Sequence, residues 1–286
     1  MSARSRRALR WQWQSPGAKL APMTALLTPP ANYFNRARHQ GRNYLKVLAQ
    51  LHALRRPQTY LEVGTATGKT LAIARCASIA IDPKFRLDRD VRSGKPACHL
   101  FEMTSDAFFA AEDPSVRFGR PIDLAFVDGM HHYEFALRDF MNIEAHCRPD
   151  SLIALHDCLP VDSHMARREP HDRSAAAWST YPNAWAGDTW RTLWILQHYR
   201  PDLRIFAFDA TPSGLIVVTR LDPKSSVLKL RYEEAVRAAD KIDPARFYDG
   251  LDIIPTSAIR RPSWISSLIR RQPFDFGRYV ARDKRS

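Results

Sequence analysis

Two clusters in this 286-residue sequence combine residue types and spacings that could do chemistry. The first is Glu62-Val-Gly64-Thr65-Ala-Thr-Gly68-Lys-Thr, an acid followed by a glycine turn. Glycine after a buried strand lets main chain approach a ligand closely, and a following helix start offers free N–H groups. Two uses of such a turn are disfavoured by spacing. The P-loop pattern Gly-x-x-x-x-Gly-Lys-Thr/Ser is one residue longer than the interval from Gly64 to Gly68. A dinucleotide fingerprint needs a third glycine, and none is present here. Glu62 would repel phosphate but suits a ligand that carries an ammonium group.

The second cluster is Asp128-Gly-Met-His131-His-Tyr, after the apolar run Ile122–Val127, together with His156-Asp157-Cys158, after Ser151–Leu155. Adjacent strand ends in a parallel sheet open onto one crevice, so these groups should converge there. Two close carboxylates repel unless something neutralises them. A divalent cation, a protonated His131 or His156, or a cationic ligand would each serve. His131, with an ordinary pKa near ~6.5, is also a candidate general base.

Both clusters must be positioned by regular elements. Tyr33, Phe34, Tyr44, Leu45, Val47, Leu48, Leu51 and Leu54 fall largely at helical spacing and predict one or two helices within 31–54. Buried strands are expected at 59–63, 78–81, 97–101, 122–127 and 151–155, with helices at 69–77, 133–147 and 189–199 between or after them. Runs 203–208 and 214–219, joined by Asp-Ala-Thr-Pro-Ser, predict a hairpin at the sheet's end, and 225–240 a last helix. Alternating strands and helices imply an α/β, doubly wound, Rossmann-like parallel sheet. The stretch 158–188 is too long for a plain connection and reads as a lid or an insertion; its Trp178, Tyr181 and Trp185, with Trp190, could close over a ligand, or Trp185 and Trp190 could simply pack it onto the sheet.

The chain carries 43 Lys+Arg against 30 Asp+Glu, a net +13. That charge is terminal: residues 1–61 carry +11, residues 255–286 carry +6, and the middle is −4. Nucleic acid at the basic ends is therefore an alternative partner, although solvated tails account for such runs as well. Residues 1–22 lack a periodic apolar face and are expected to be a disordered arm, with Met23 a second plausible start. The remaining expected divisions are a helical segment 23–57, a core 58–221 and a basic tail 222–286. No run approaches the ~20 apolar residues of a membrane-spanning helix. The cysteines, Cys76, Cys98, Cys147 and Cys158, are dispersed, so a reducing cytoplasm is the expected compartment.

The order of these residues resembles the class I S-adenosylmethionine (SAM)-dependent methyltransferases. Glu62, Gly64, Thr65 and Gly68 match the first motif, an acid before a glycine turn, and Asp82 matches the acid that grips the ribose hydroxyls. Thr104-Ser105-Asp106 stands where the family touches adenine, which adds Ser105 and Asp106 to the cofactor residues, as it does Asp128. Val-Asp-Gly-x-His-x-Tyr and His-Asp after the fourth and fifth strands resemble one subgroup and are similar to the catechol-type O-methyltransferases. The resemblance implies a seven-stranded sheet with an antiparallel last strand, and transfer of a methyl group to a small-molecule hydroxyl. It makes His131, Asp128 and His156 the catalytic residues, and Asp128 with Asp157 the ligands of Mg²⁺ or another divalent cation. Cys158 replaces the metal-binding Asn of that family, and a thiol suits Mg²⁺ poorly. The alternatives are an RNA methyltransferase and a SAM-binding protein without turnover; self-association is a further expectation.

Overall fold

The computed structural model of the chain describes residues 38–170, 179–248 and 251–260. The expected arm 1–22, Met23, Tyr33, Phe34, Trp178 and residues 261–286 of the basic tail lie outside the described residues. The elements in chain order are α1 Tyr44–Arg55, β1 Thr59–Val63, β2 Ala77–Ile81, β3 Cys98–Phe101, α2 Ser105–Ala111, α3 Pro114–Phe118, β4 Ile122–Val127, α4 Tyr133–Glu144, β5 Cys147–His156, α5 Trp190–Tyr199, β6 Arg204–Phe208, β7 Leu215–Thr219, α6 Val227–Leu230, α7 Tyr232–Asp240 and β8 Ile253–Ile254. They form one sheet in the order β3-β2-β1-β4-β5-β7-β6-β8. Strand β7 runs antiparallel to both its neighbours, β5 and β6. The doubly wound architecture and its antiparallel strand are as expected; the sheet has eight strands rather than seven, because Ile253–Ile254 adds a short parallel edge to β6.

Alternation along the strands sends side chains into two cores. Leu61, Val63, Ile79, Ile153 and Leu155 pack with the buried stripe of α4, Tyr133, Leu137 and Phe140, and with Leu193 and Leu196 of α5. Tyr60, Leu124, Phe126, Leu152 and Ala154 pack on the opposite face with Val47, Leu48 and Leu51 of α1. Strands β1 and β4 are buried throughout, as central parallel strands must be when both faces are covered. Among the described residues no helix is long and apolar enough to cross a membrane.

The helix expected at 69–77 is a single 3₁₀ turn, Leu71–Ile73. Ala74 is extended, and the Leu71 and Ala74 carbonyls are taken by the Lys95 ammonium. The last expected helix is broken at Arg231 into α6 and α7. The sequence pattern does not reveal α2 and α3, although their caps are conventional: Thr104 accepts from Ala107 N, and Asp113 accepts from Ser115 N and Val116 N ahead of Pro114.

One buried ion pair ties the end of α4 to the end of α5. Arg200 is 1% exposed and forks onto Glu144 at 2.6 and 2.9 Å. Asp202 takes another edge of the same guanidinium at 2.7 Å. Glu144→Ala would leave the buried Nη1 without its partner, and we expect a loss of about 3–5 kcal/mol in denaturant unfolding; a loss under about 1 kcal/mol would show that Asp202 alone suffices.

Candidate functional site

The strand ends meet at a cavity of about 750 Å³ lined by Gly64 to Thr67, Asp82, Arg86, Thr104 to Asp106, Asp128 to His131, Phe135 and Asp139. Its floor is the glycine turn. Gly64 leaves β1 with φ +82°, and a Cβ there would run into the Asp128 carbonyl. Asp82, at the end of β2, fixes the turn from the side: its Oδ2 accepts from Thr65 N at 2.9 Å and Ala66 N at 2.8 Å, and its Oδ1 from Lys84 N at 2.7 Å. Gly64→Ala is expected to abolish ligand binding in this cavity and to lower the melting midpoint by several degrees, since strain at a positive φ is added to a backbone clash; unchanged binding by calorimetry would place the ligand elsewhere.

At the far end of the cavity the second cluster closes into a ring. His131 Nε2 lies 3.3 Å from Asp128 Oδ1 and 3.1 Å from Asp157 Oδ2. His156 Nδ1 lies 3.1 Å from Asp128 Oδ1 and 3.3 Å from Asp157 Oδ2. Carboxylate and imidazole thus alternate around one centre. Both His131 and Asp157 hold φ of +59°, a left-handed conformation that non-glycine residues adopt at a cost of about 1–3 kcal/mol. The lid helps to hold it: Gly187 lacks the Cβ that would strike the His131 carbonyl, and Asp188 N donates to that carbonyl.

The outer nitrogens decide the tautomers. His131 Nδ1 is 3.0 Å from the Trp185 carbonyl, which can only accept, so Nδ1 carries the proton. His156 Nε2 is 3.4 Å from Ser213 Oγ, whose own hydrogen goes to Asp157 Oδ1, so Nε2 also donates. In their neutral forms both imidazoles therefore point bare lone pairs at two carboxylates. Either protons or a cation must fill the gap. With protons, burial opposes the charge on each ring, but Asp157 and Asp128 outweigh it and push His131 up to about 9 and His156 up to about 10. Burial likewise opposes ionisation of Asp128, yet His156 and His131 hold it well below the usual carboxylate range.

The family model described as "Methyltransferase domain" matches residues 61–158, the stretch that runs from the glycine turn to the His-Asp pair. Over that stretch this chain is similar to methyltransferase domains. It is similar in fold to a cofactor-bound protein from MTB (15% identity over 63% of this chain and 80% of that one, TM-score 0.46). It is also similar to a putative O-methyltransferase from Klebsiella pneumoniae (13%, 65% and 84%, 0.42) and to the O-methyltransferase TomG from Streptomyces achromogenes in complex with SAM (16%, 62% and 78%, 0.42). No curated protein sequence matches the chain.

Of the site residues expected from the sequence, Gly64, Thr65, Asp82, Ser105, Asp106, Asp128 and His131 line the cavity, whereas Glu62, Gly68, His156 and Asp157 do not. Glu62 is fully buried behind the turn, where it accepts the Tyr60 hydroxyl at 2.6 Å, and burial lifts it to about 7 against the pull of Tyr60, Thr65 and Thr70. Asp128, His131 and Asp157 have donor atoms within 4.8 Å of one another, while Cys158 turns its thiol onto the His156 carbonyl inside the core. Burial pushes that thiol upward, Asp157 and Asp128 adding to the effect. Tyr181, Trp185 and Trp190 do not line the cavity; Trp185 packs on His131 and Trp190 on Phe247.

Two contributors to the site are not visible in the sequence pattern. Tyr44, the first residue of α1, lines the cavity and stacks on His156 with ring centroids 3.9 Å apart. Ser213 sits in the β6–β7 connection, where its surroundings read only as a turn.

Proposed function

We propose that the chain is a SAM-dependent O-methyltransferase acting on a small-molecule hydroxyl. The observation that carries this reading is the position of Asp128, which lines the cavity behind the glycine turn and is also a member of the Asp-His ring. A sulfonium cofactor laid from Asp82 toward Asp128 would bring its methyl group to that ring. The oxygen of the acceptor forms its bond to the methyl carbon as the carbon–sulfur bond breaks, the electron pair staying on sulfur to leave a neutral thioether, and the hydroxyl proton passes to water. Such a displacement asks the protein chiefly for alignment and for a more nucleophilic oxygen.

The ring supplies the second requirement only if His131 and His156 are unprotonated, and with raised pKa values neither is a base at neutral pH. The donors fit a divalent cation instead. Alternating separations of 3.1–3.3 Å suit ligands that share one ion, and an imidazole whose other N–H goes to a carbonyl or hydroxyl is the usual partner of a metal. Asp128, His131 and Asp157 would hold it, with His156 hydrogen-bonded beside them. An imidazole nitrogen among the donors favours Mn²⁺ or a later first-row ion over Mg²⁺. The chemistry it supplies when bound is Lewis-acid lowering of the acceptor hydroxyl's pKa. This reading moves His131 from proton acceptor to ligand, with the Trp185 carbonyl fixing its tautomer and Tyr44 stacked on His156.

The test is incubation with methyl-labelled SAM, Mn²⁺ or Mg²⁺, and a panel of phenols, vicinal diols and sugars, read by mass spectrometry for a labelled methyl ether. Calorimetry alongside it should show SAM binding. Absence of SAM binding, or tight Mg·ATP binding in the same cavity, would refute the reading.

A further inference from the structure

Four aspartates line the cavity: Asp82, Asp106, Asp128 and Asp139. Three already have partners. Asp82 accepts three main-chain N–H groups. Asp106 is held by the Arg138 fork, with Nε 3.0 Å from Oδ1 and Nη2 2.8 Å from Oδ2. Asp128 faces His131 and His156.

Asp139 differs. It lies on α4, is 3% exposed, and its Oδ1 is buried without a hydrogen-bond partner. An unmet buried acceptor is costly, and native proteins keep few of them without a use. The cavity wall around it is formed by Phe135, one turn earlier on α4, and by the start of α2 at Thr104 to Asp106. Burial lifts Asp139 to about 7, with the Ser105 hydroxyl opposing the rise and Asp106 adding to it. A group whose charge is disfavoured suits a neutral donor better than an ammonium, and it can accept an N–H bond in either protonation state.

We propose that Asp139 accepts the exocyclic 6-amino group of the cofactor's purine, the place that sequence position assigns to Asp106. The inference rests on the SAM reading. Asp106, locked to Arg138, shapes the entrance to the purine slot, and Asp139 reads the base from below.

The experiment compares calorimetric affinity for S-adenosylhomocysteine with that for the same compound bearing hydrogen in place of the 6-amino group. The native protein should bind the amino compound roughly tenfold or more tightly, as expected for a bond to a buried carboxyl. Asp139→Leu, which fills the space without an acceptor, should bring the two affinities within about twofold, whereas Asp106→Ala should keep the discrimination. Equal native affinities, or discrimination that survives in Asp139→Leu or vanishes in Asp106→Ala, would overturn the assignment while leaving the cofactor reading intact. If the leucine variant does not fold, the native comparison and Asp106→Ala decide between the two carboxyls. A native protein that binds neither compound refutes the SAM reading and this inference with it.

Discussion

Replacing Asp157 by asparagine is expected to lower methyl transfer on the order of a hundredfold or more, the scale seen when a preorganised charge beside the reacting atoms is removed. The substitution keeps the shape of the side chain and removes one of the two negative charges in the ring. Asp157 is 4% exposed and faces both His131 Nε2 and His156 Nδ1. Neither a divalent cation nor a pair of imidazolium protons would then be fully compensated. Exhaustive chelation separates the two. If the ring holds a cation, the native enzyme loses turnover on chelation and recovers it with Mn²⁺; full activity in the chelated enzyme would discard the cation. Stability gives a second readout. In the chelated protein the folded pKa values, about 9 for His131 and about 10 for His156, lie above the ordinary value of 6.5. Their stabilisation is complete below the unfolded pKa and is lost as pH rises through the folded ones. The melting midpoint of the chelated protein should therefore fall between about pH 7 and 10, and if the ring takes a cation, Mn²⁺ in place of the protons should flatten that fall. A chelated protein with a level midpoint across the window would show that the rings are not protonated in the fold.

The sheet was legible because its strands are short apolar runs separated by helices of clear period. Tyr133, Leu137 and Phe140 mark the buried stripe of α4 by their spacing alone, and strand ends at Val63, Ile81, Val127 and His156 follow from the same kind of pattern. The chemistry at those ends was legible too, since acids and histidines that close parallel strands must share a crevice. What the local pattern does not reveal is whatever depends on contacts distant in sequence. The turn at Leu71–Ile73 is held short by Lys95, over twenty residues away. Glu62 carries the acid of the motif, but Tyr60 two residues back takes it into the core and out of the cavity wall. Asp106 lines the cavity as expected, but its ion pair with Arg138 from α4 is not visible in the local pattern. Tyr44 and Ser213 lie 112 and 57 residues from His156 in sequence, and no local pattern could join them to it. The ring's tautomers, likewise, are fixed by Trp185 and Ser213 and not by the motif that contains the histidines.

Asp82→Ala is expected to act twice, on the loop and on the cofactor. In the native fold this carboxylate holds the glycine turn by accepting Thr65 N and Ala66 N on one oxygen, with Ala66 at φ 45°, and Lys84 N on the other. Removing it strands two loop amides in a place where Thr65 is 3% exposed, and each buried unmet donor costs about 1–3 kcal/mol. Loss of roughly 2–4 kcal/mol of stability should follow, read by denaturant unfolding without ligand. The same carboxylate borders the cavity, and its Oδ1, which accepts from Lys84 N, keeps capacity for the hydroxyl of a ribose. SAM affinity should therefore fall by more than loop damage explains, about 10- to 100-fold for a charge-assisted bond. Asp82→Asn divides the two contributions. Its carbonyl oxygen can still take the Thr65 and Ala66 amides, so stability should largely return, while the amide nitrogen now faces the hydroxyl with a donor and affinity should stay low. Unchanged stability in the alanine variant would mean that the turn holds itself, and recovery of full SAM affinity in the asparagine variant would take the charge of Asp82 out of the cofactor site.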